Sequence, residues 1–407
     1  MTRKGMARFL LAWAIFSLPV IRISAAPDAK ASSFPLAQTD IFEAGKDGYN
    51  TYRIPSLIVT AKGTVLAFCE GRRKSSSDTG DIDIVLRRSF DNGATWQPMQ
   101  IVADDSSNTL GNPCPVVDRA TGTIWLPLTR NLGSDTEDRI RAGTSKESRT
   151  VWMSKSTDDG ATWSKPEEIT KTTKRPDWTW YATGPGVGVQ LRSGRLLIPC
   201  DNNVAGSKMR QSHVIYSDNH GATWKLGGVA TPNVNECQVV ERSDGSLLLN
   251  MRCYEGKNRR AIAASTDGGL TWSQPTLDPT LIEPVCQASL LRYVEQGGSL
   301  SGANRPQRDG RQVDNLSYKS RLLFSNPAAA KRENMTVRLS YDEGKTWPTS
   351  KTLHAGPSAY SCLTVLSDMT IGCLYERGEK RYAEKVTFAR FSLEWLTDGA
   401  DHVERKK

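Results

Sequence analysis

The chain has 407 residues, with 53 Lys and Arg against 44 Asp and Glu and a formal net charge of +9 at pH 7. The basic residues form no run long enough for a nucleic-acid-binding stripe, so we expect no nucleic-acid partner, and a small anionic ligand fits the modest charge better. The four histidines and the lack of CxxC spacing leave little material for a zinc site or a His-based triad, so no catalytic metal is expected.

The N-terminal residues have the layout of a secretory signal peptide. A basic start that includes Arg3 and Lys4 precedes an apolar run over residues 9–21, and small residues follow. The alternative is a membrane anchor, but the run is shorter than the roughly 20 residues of a comfortable span. We therefore predict a signal peptide over residues 1–26, a secreted or periplasmic location, and no membrane span in the mature chain.

One pattern, Ser-x-Asp-x-Gly-x-Thr-Trp, recurs along the chain, and one copy has Asn219 in place of Asp. The five copies begin at Ser89, Ser156, Ser217, Ser265 and Ser340. In such a segment Asp or Asn accepts hydrogen bonds from nearby backbone amides, and Gly supplies a positive φ. We expect a tight hairpin in which Thr starts the next strand and Trp anchors that strand. The copies indicate repeated β units, each of about four strands.

Strand-like runs such as residues 53–60 alternate with turns through the remaining sequence, and no long stretch has a helical period. The sequence therefore predicts an all-β protein. Because the repeats continue without a linker, we predict a single domain over residues 27–407. The polar segment over residues 295–320 is predicted to be a long surface loop inside one unit. Asn315 and Asn334 each begin a glycosylation acceptor pattern.

The cysteines are scattered and mostly lie in apolar, strand-like runs. The eight are Cys69, Cys114, Cys200, Cys237, Cys253, Cys286, Cys362 and Cys373. Export would permit disulfides, whereas the apolar surroundings are typical of buried free thiols. Both interpretations stay open at this point.

Three arginines stand in sequence that the repeats do not explain. Arg53 belongs to Tyr52-Arg53-Ile54-Pro55 at the start of an apolar run, where a charge is costly unless a partner meets it. Arg252 ends a second such run in the same way, and Arg332 precedes a third. For each arginine alone a surface charge is the usual interpretation, and for Arg332 alone it is the favoured one.

The Tyr-Arg-Ile-Pro motif followed by repeated Asp-boxes resembles the sialidases (neuraminidases) of bacterial and animal type, over roughly residues 42–396. The resemblance implies a six-bladed β-propeller with Asp-box hairpins, whose sixth blade is closed by the two termini. It implies an exo-α-sialidase that hydrolyses terminal sialic acids of glycoproteins, glycolipids or oligosaccharides, with retention through a tyrosine nucleophile and without a cofactor.

The same resemblance assigns roles to single positions. The catalytic positions that match the family are Asp78, Glu236 and Tyr360. The substrate-binding positions are Arg53, Arg72, Arg252 and Arg332, and Glu376 would support Arg53. Three guanidinium groups suit the carboxylate on the anomeric carbon of a sialic acid. A neutral tyrosine nucleophile avoids placing a second anion against that carboxylate.

Some positions have competitors nearby in the sequence. Asp81 and Asp83 compete with Asp78 for the role of the acid, and Asp78 is favoured because it sits in a Ser- and Gly-rich loop. Arg338 competes with Arg332, which fits the spacing to Tyr360 better. An aromatic cluster can line the substrate pocket or pack inside a blade, and both interpretations stay open; its members are Trp178, Trp180 and Tyr181.

Two other functions remain open from sequence alone. A non-catalytic Asp-box propeller would bind glycans or proteins, although a pure binder has no reason to keep Asp78 and Tyr360. A trans-sialidase, or a hydrolase of a related nonulosonic acid, would use the same residues with another acceptor or substrate.

Overall fold

The computed structural model describes residues 1–2, 35–293 and 320–403. The predicted signal peptide, apart from its first two residues, and almost all of the predicted surface loop over residues 295–320 therefore lie outside the described residues. The described chain is almost entirely β. Its helices are short: α1 (Glu137–Ala142), α2 (Thr170–Thr173) and α3 (Leu393–Leu396). No helix in these ranges is long and apolar enough to cross a membrane.

The strands form antiparallel units that follow one another along the chain after β1 (Ala37–Glu43). The first unit has β2 (Thr51–Val59), β3 (Val65–Arg72), β4 (Ile82–Ser89) and β5 (Gln100–Ala103). The second has β6 (Thr109–Gly111), β7 (Val116–Val117), β8 (Ile124–Asn131), β9 (Thr150–Ser156) and β10 (Glu167–Glu168). The third has β11 (Trp178–Thr183), β12 (Val189–Gln190), β13 (Leu196–Val204), β14 (Arg210–Ser217) and β15 (Lys225–Ala230).

The later units follow the same plan. The fourth has β16 (Val234–Glu241), β17 (Leu247–Cys253), β18 (Arg259–Ser265) and β19 (Thr276–Ile282). The fifth has β20 (Ser289–Tyr293), β21 (Arg321–Pro327), β22 (Glu333–Ser340) and the first half of β23 (Thr349–Val365). The second half of β23 pairs with β24 (Ile371–Arg377), which pairs with β25 (Lys385–Phe391). β1 pairs with β25 and completes this sixth unit.

The six units surround a common axis. Their innermost strands line one narrow cavity of about 230 Å³ with apolar side chains. One such side chain from each unit is Leu57, Val116, Val189, Val239, Leu290 and Leu363. The arrangement is a six-bladed β-propeller, and the pairing of N-terminal β1 with β25 joins the two ends of the chain in one blade. The prediction that the termini close the sixth blade is confirmed by this pairing, and β1 is the edge strand of its sheet.

The Asp-boxes lie between the last two strands of each of the first five blades. In the first box the Gly93 amide donates to Ser89 Oγ at 2.8 Å, and the Thr95 amide and hydroxyl donate to Asp91 at 2.8 and 2.6 Å. The hydrogen bond from the Thr95 hydroxyl, and then the bond from its amide, lower the pKa of Asp91 to about 2. The prediction that Thr starts the next strand is wrong: β5 begins only at Gln100, because Asp91 holds Thr95 in the turn.

Each box glycine meets the preceding blade. At Gly93 a Cβ atom would lie 2.1 Å from the Phe388 ring in β25, and at Gly221 it would lie 2.1 Å from the Trp125 ring in β8. The Trp96 ring packs edge-on against the same Phe388, with centroids 5.1 Å apart. The boxes are therefore joints between blades as well as turns.

Of the two interpretations of the cysteines, disulfides and buried thiols, the structure shows the second. All eight are buried free thiols. Of the two acceptor asparagines, Asn315 lies outside the described residues, and Asn334 is half-buried in β22.

The box contact can be tested with a matched pair of glycines. Gly93 and Gly45 have nearly equal φ angles, +83° and +81°, but a Cβ at Gly45 would meet nothing within 4 Å. Gly45→Ala should cost only the strain of left-handed backbone, about 1–2 kcal/mol. Gly93→Ala should cost about 1–3 kcal/mol more through overpacking against Phe388. Urea unfolding of both variants measures the difference, and equal losses would contradict the interblade joint.

Candidate active site

A polar cavity of about 380 Å³ collects side chains from strands and loops of all six blades. Seven of the predicted site residues line it: Arg53, Arg72, Asp78, Glu236, Arg252, Arg332 and Tyr360. The eighth, Glu376, is fully buried beneath them. The structure thus brings together residues that are distant in sequence and that no local motif connects.

Glu376 holds the backbone and one guanidinium of the site. Its carboxylate accepts hydrogen bonds from Nε and Nη2 of Arg53 at 2.9 and 3.1 Å. It also accepts from the amides of Ile54 at 2.9 Å and Tyr360 at 3.2 Å. Because all four donors are buried with it, the carboxylate is satisfied without solvent, and the Arg53 side chain is fixed in direction.

The phenol of Tyr360 is paired with a carboxylate. Its hydroxyl donates to Glu236 Oε1 at 2.6 Å. Arg252 Nη1 donates to Glu236 Oε2 at 2.7 Å and to the Tyr360 oxygen at 3.2 Å. Burial, and then the Glu236 carboxylate, raise the pKa of Tyr360 well above its usual value, against the opposing pull of Arg252 and Arg332. The phenol is therefore protonated, with a base placed to take its proton.

Arg332 differs from the other arginines of the cavity in its partners. Its guanidinium lies 5.6 Å from the Tyr360 ring centroid and 5.2 Å from that of Tyr382. Among the described residues it has no carboxylate partner. Arg338 does not line the cavity; it lies in β22, in register with Phe324 on the neighbouring strand. The structure therefore places Arg332 with the other site arginines and leaves Arg338 outside.

Asp78 reaches the cavity from the loop between β3 and β4. Its carboxylate lies 2.7 Å from Nη2 of Arg72 and 3.9 Å from Nη1 of Arg53, and its side chain is 54% exposed. Burial alone would raise its pKa, but the guanidinium groups of Arg72 and then Arg53 hold the pKa of Asp78 below its usual value. Asp78 is therefore ionised in the free protein and is accessible to a ligand.

The two competing aspartates point elsewhere. Asp81 lies 3.3 Å from Arg73 Nε, and Asp83 is fully buried, 2.6 Å from both Arg73 Nη2 and the Tyr49 hydroxyl. Neither lines the cavity. The structure thus places only Asp78, of the three, where it can reach a bound molecule.

The aromatic cluster of Trp178, Trp180 and Tyr181 has one member in the polar cavity and two members packed inside a blade. Trp180 lines the cavity between two guanidinium groups, 4.3 Å from Arg149 and 5.1 Å from Arg141. Trp178 and Tyr181 are buried inside the third blade. The strand pairing shifts register between Trp178 and Trp180, and the successive residues Trp180 and Tyr181 point to opposite faces, so one strand supplies both the pocket and the core.

Other residues of the cavity were missed by the sequence analysis. They are Glu70, Asn112, Glu137, Arg141, Arg149, Asp201, Asn235, Tyr254 and Tyr382. Glu70 holds Arg72 through bonds of 3.1 and 2.7 Å, and its place two residues before Arg72 on a strand was a usable signal. The others come from the second, third, fourth and sixth blades, and no repeated sequence pattern connects them. Over the described residues no group of three or more His, Cys, Asp and Glu side chains could hold a metal ion.

Comparison with known proteins shows the family to which the chain belongs. The family model of the BNR repeat-like domain matches residues 63–374. A sialidase of Micromonospora viridifaciens is 34% identical over 97% of this chain and 60% of its own length. An exo-alpha-sialidase of Aspergillus fumigatus is 32% identical over 98% of this chain and 97% of its own length.

A solved structure agrees. Hadza microbial sialidase Hz136 is 34% identical, with a TM-score of 0.76, over 88% of this chain and 69% of that chain. The chain spans about 60% of the length of the first curated relatives that it matches. The propeller, its boxes and these likenesses lead to one conclusion: the chain belongs to the sialidase family.

Proposed function

We propose that the protein is an exo-α-sialidase that hydrolyses terminal sialic acids from glycoconjugates, with retention of anomeric configuration. The observation that carries the proposal is the 2.6 Å hydrogen bond from the Tyr360 hydroxyl to Glu236, inside a cavity that also presents Arg53, Arg252 and Arg332. Sialylated glycoproteins, glycolipids or oligosaccharides are the proposed substrates. A secreted or periplasmic location stays a prediction.

The arginines would bind the substrate carboxylate. Arg53 is held in place by Glu376, Arg252 is held by Glu236, and Arg332 has its guanidinium available for a ligand. Charge-assisted hydrogen bonds from three fixed donors would orient the anomeric carbon as well as bind the anion. The donors would then also favour the flattened, oxocarbenium-like transition state, since they need no reorganisation during the reaction.

In the first step the Tyr360 oxygen would attack the anomeric carbon while its proton passes to Glu236. The bond between the anomeric carbon and the leaving oxygen breaks, and Asp78 donates a proton to that oxygen. In the second step water attacks the anomeric carbon from the side of Asp78, which takes its proton. The bond to Tyr360 breaks, and Glu236 returns the proton to the phenol. Two displacements on opposite faces give net retention.

The state of Asp78 in the free protein bears on this cycle. Asp78 is ionised beside Arg72 and Arg53, yet it must hold a proton to act as an acid. A substrate carboxylate bound to Arg53 would offset part of the positive field and favour protonation of Asp78. Substrate binding would therefore itself favour the protonated form of Asp78, which acts as the acid.

The first test removes one arginine of the site and compares it with the arginine outside. Arg332→Ala should lower kcat/KM on a fluorogenic sialoside by about 10²- to 10³-fold, because a preorganised donor to the bound anion is lost. Arg338→Ala is the matched control and should keep kcat/KM near that of the unmodified protein, provided that its thermal unfolding shows a folded chain. The opposite ranking would mean that the third arginine is Arg338.

The second test separates the acid from the nucleophile. Asp78→Ala should lose about 10²- to 10⁴-fold on a sialyl oligosaccharide but much less on an aryl sialoside, whose leaving group departs without a proton. Tyr360→Phe should be impaired on both substrates, because the attacking oxygen is gone.

Rates for both variants and both substrates are measured, with the product anomers followed by NMR. Equal losses of Asp78→Ala on both substrates would remove Asp78 from the role of acid. Release of the inverted anomer first by the unmodified protein would exclude the tyrosine mechanism. Absence of any hydrolysis would favour the non-catalytic glycan-binding alternative.

The third test uses pH. The ratio kcat/KM reports the free enzyme, and kcat reports the enzyme–substrate complex. Because the pKa of Asp78 is lowered in the free protein, kcat/KM on a sialyl oligosaccharide should fall as pH rises from the acidic side. If the bound carboxylate raises the pKa of Asp78, the corresponding fall in kcat should lie at higher pH. Asp81→Asn should leave both pH profiles unchanged. If kcat falls at the same pH as kcat/KM or at a lower pH, the coupling between substrate binding and the pKa of Asp78 is contradicted.

A further inference from the structure

A buried ion pair stands where the chain passes from the fourth blade to the fifth. Arg260 in β18 is fully buried, and Glu283, which follows β19, is 1% exposed. Arg260 Nη1 donates to Glu283 Oε2 at 2.8 Å. Neither residue lines the cavity. A buried ion pair is weak evidence for stability, because its desolvation cost can exceed its Coulombic gain, so its hydrogen bonds to neighbouring segments are the better guide to its role.

The pair holds the strand that carries one of the site arginines. Glu283 Oε1 accepts a hydrogen bond from the amide of Cys253 at 2.8 Å, directly after Arg252. Arg260 Nε donates to Asn250 Oδ1 at 2.7 Å, and Asn250 stands two residues before Arg252 on β17. The strand is therefore held on both sides of Arg252.

The same pair holds the segment that packs against the phenol of the site. The amide of Cys286 donates to Glu283 Oε2 at 3.2 Å, and its carbonyl accepts from Arg260 Nη1 at 2.7 Å. Cys286 is fully buried and belongs to one apolar cluster with Tyr360. One ion pair thus joins the strand of Arg252 to a residue that packs beside Tyr360.

Arg252 requires this support because the strand next to it is irregular. β16 and β17 pair with a register shift between Val234 and Cys237, and Glu236 lies in that stretch. Backbone pairing is locally disrupted at such a shift, so it fixes the direction of Arg252 less firmly than a regular ladder would. Arg252 nevertheless donates to Glu236 at 2.7 Å and to Tyr360 at 3.2 Å. The hydrogen bonds from the ion pair supply the missing constraint.

We propose that Arg260 and Glu283 are positioning residues of the reaction. The pair fixes Arg252, and through Arg252 it fixes the contact between Glu236 and Tyr360. The inference rests on the proposed sialidase function, in which Arg252 binds the substrate carboxylate and Tyr360 attacks. A misplacement of about 1 Å caused by a change far from the chemistry can cost about 10²-fold in rate, so a pair outside the cavity can control the rate inside it.

The test is a double-mutant cycle on a fluorogenic sialoside, with Arg260→Lys and Arg252→Met made singly and together. Lys keeps a charge beside Glu283 but lacks the planar fork that reaches both Asn250 and Cys286. Met at position 260 would instead leave the Glu283 charge buried and unpaired, which unfolding would relieve. Arg260→Lys should lower kcat/KM by about 10- to 100-fold.

In the Arg252→Met protein, the same Arg260→Lys change should lower kcat/KM by less than about 3-fold further, because the side chain that it positions is gone. The losses in the midpoint of thermal unfolding should still add. Glu283→Asp, which keeps the charge but shortens the reach to the Cys253 amide, should follow the same pattern and tests the pair from its other member.

The matched control is a second buried ion pair that lies outside the cavity, in which Arg321 Nη2 is 2.7 Å from Asp401. Arg321→Lys should lower the midpoint of thermal unfolding and keep kcat/KM near that of the unmodified protein. A loss of activity as large as that of Arg260→Lys would show general destabilisation and overturn the proposal.

Two further outcomes would overturn it: unchanged kcat/KM in folded Arg260→Lys, or full additivity of Arg260→Lys and Arg252→Met in kcat/KM. If Arg252→Met loses activity and Arg260→Lys does not, the positioning role fails while the proposed function stands. If the unmodified protein hydrolyses no sialoside, the proposed function fails, and this proposal fails with it.

Discussion

The buried carboxylate of Glu376 links the architecture of the propeller to its chemistry. It accepts two bonds from Arg53, one from the Ile54 amide and one from the Tyr360 amide. Its strand belongs to the last blade, whereas Arg53 belongs to the first. A buried charge is tolerated only when it is paired and its remaining lone pairs are satisfied. This constraint makes the closure of the ring and the placement of Tyr360 depend on each other.

The Asp-boxes provide the rigidity on which this arrangement relies. Each box closes on itself through a Ser side chain and an Asp or Asn side chain, and its glycine lies against a large side chain of the preceding blade, as Gly93 does on Phe388. A ring of blades joined in this way leaves little freedom for the inner strand ends. Side chains placed there keep fixed distances, which preorganised electrostatic catalysis requires.

The electrostatics of the cavity separate two ionisable groups that the proposed mechanism uses. Burial and Glu236 keep Tyr360 protonated, whereas Arg72 and Arg53 keep Asp78 ionised. In the free protein, Tyr360 therefore keeps the proton that it gives up in the first step, whereas Asp78 lacks the proton that it must donate. Binding of an anionic substrate changes the field at both groups at once, so occupancy and readiness for reaction are coupled.

The sequence by itself determined the repeated β units, the six-bladed class through the family resemblance, and the identity of seven of the residues that meet in the cavity. Short-range patterns were sufficient for this, because a box is closed by bonds within eight residues and a motif such as Tyr52-Arg53-Ile54-Pro55 is contiguous. The tertiary structure decided which of two nearby candidates reaches the cavity, Asp78 rather than Asp83 and Arg332 rather than Arg338.

Only the tertiary structure placed Arg149 and Asp201 in the wall, fixed all cysteines as buried thiols, and showed that Thr95 belongs to the turn. These outcomes depend on side-chain direction and on contacts between blades, which local sequence does not encode. A strand residue faces the cavity or the core according to register, and whether a buried carboxyl such as Asp201 finds a partner depends on residues far away in the chain.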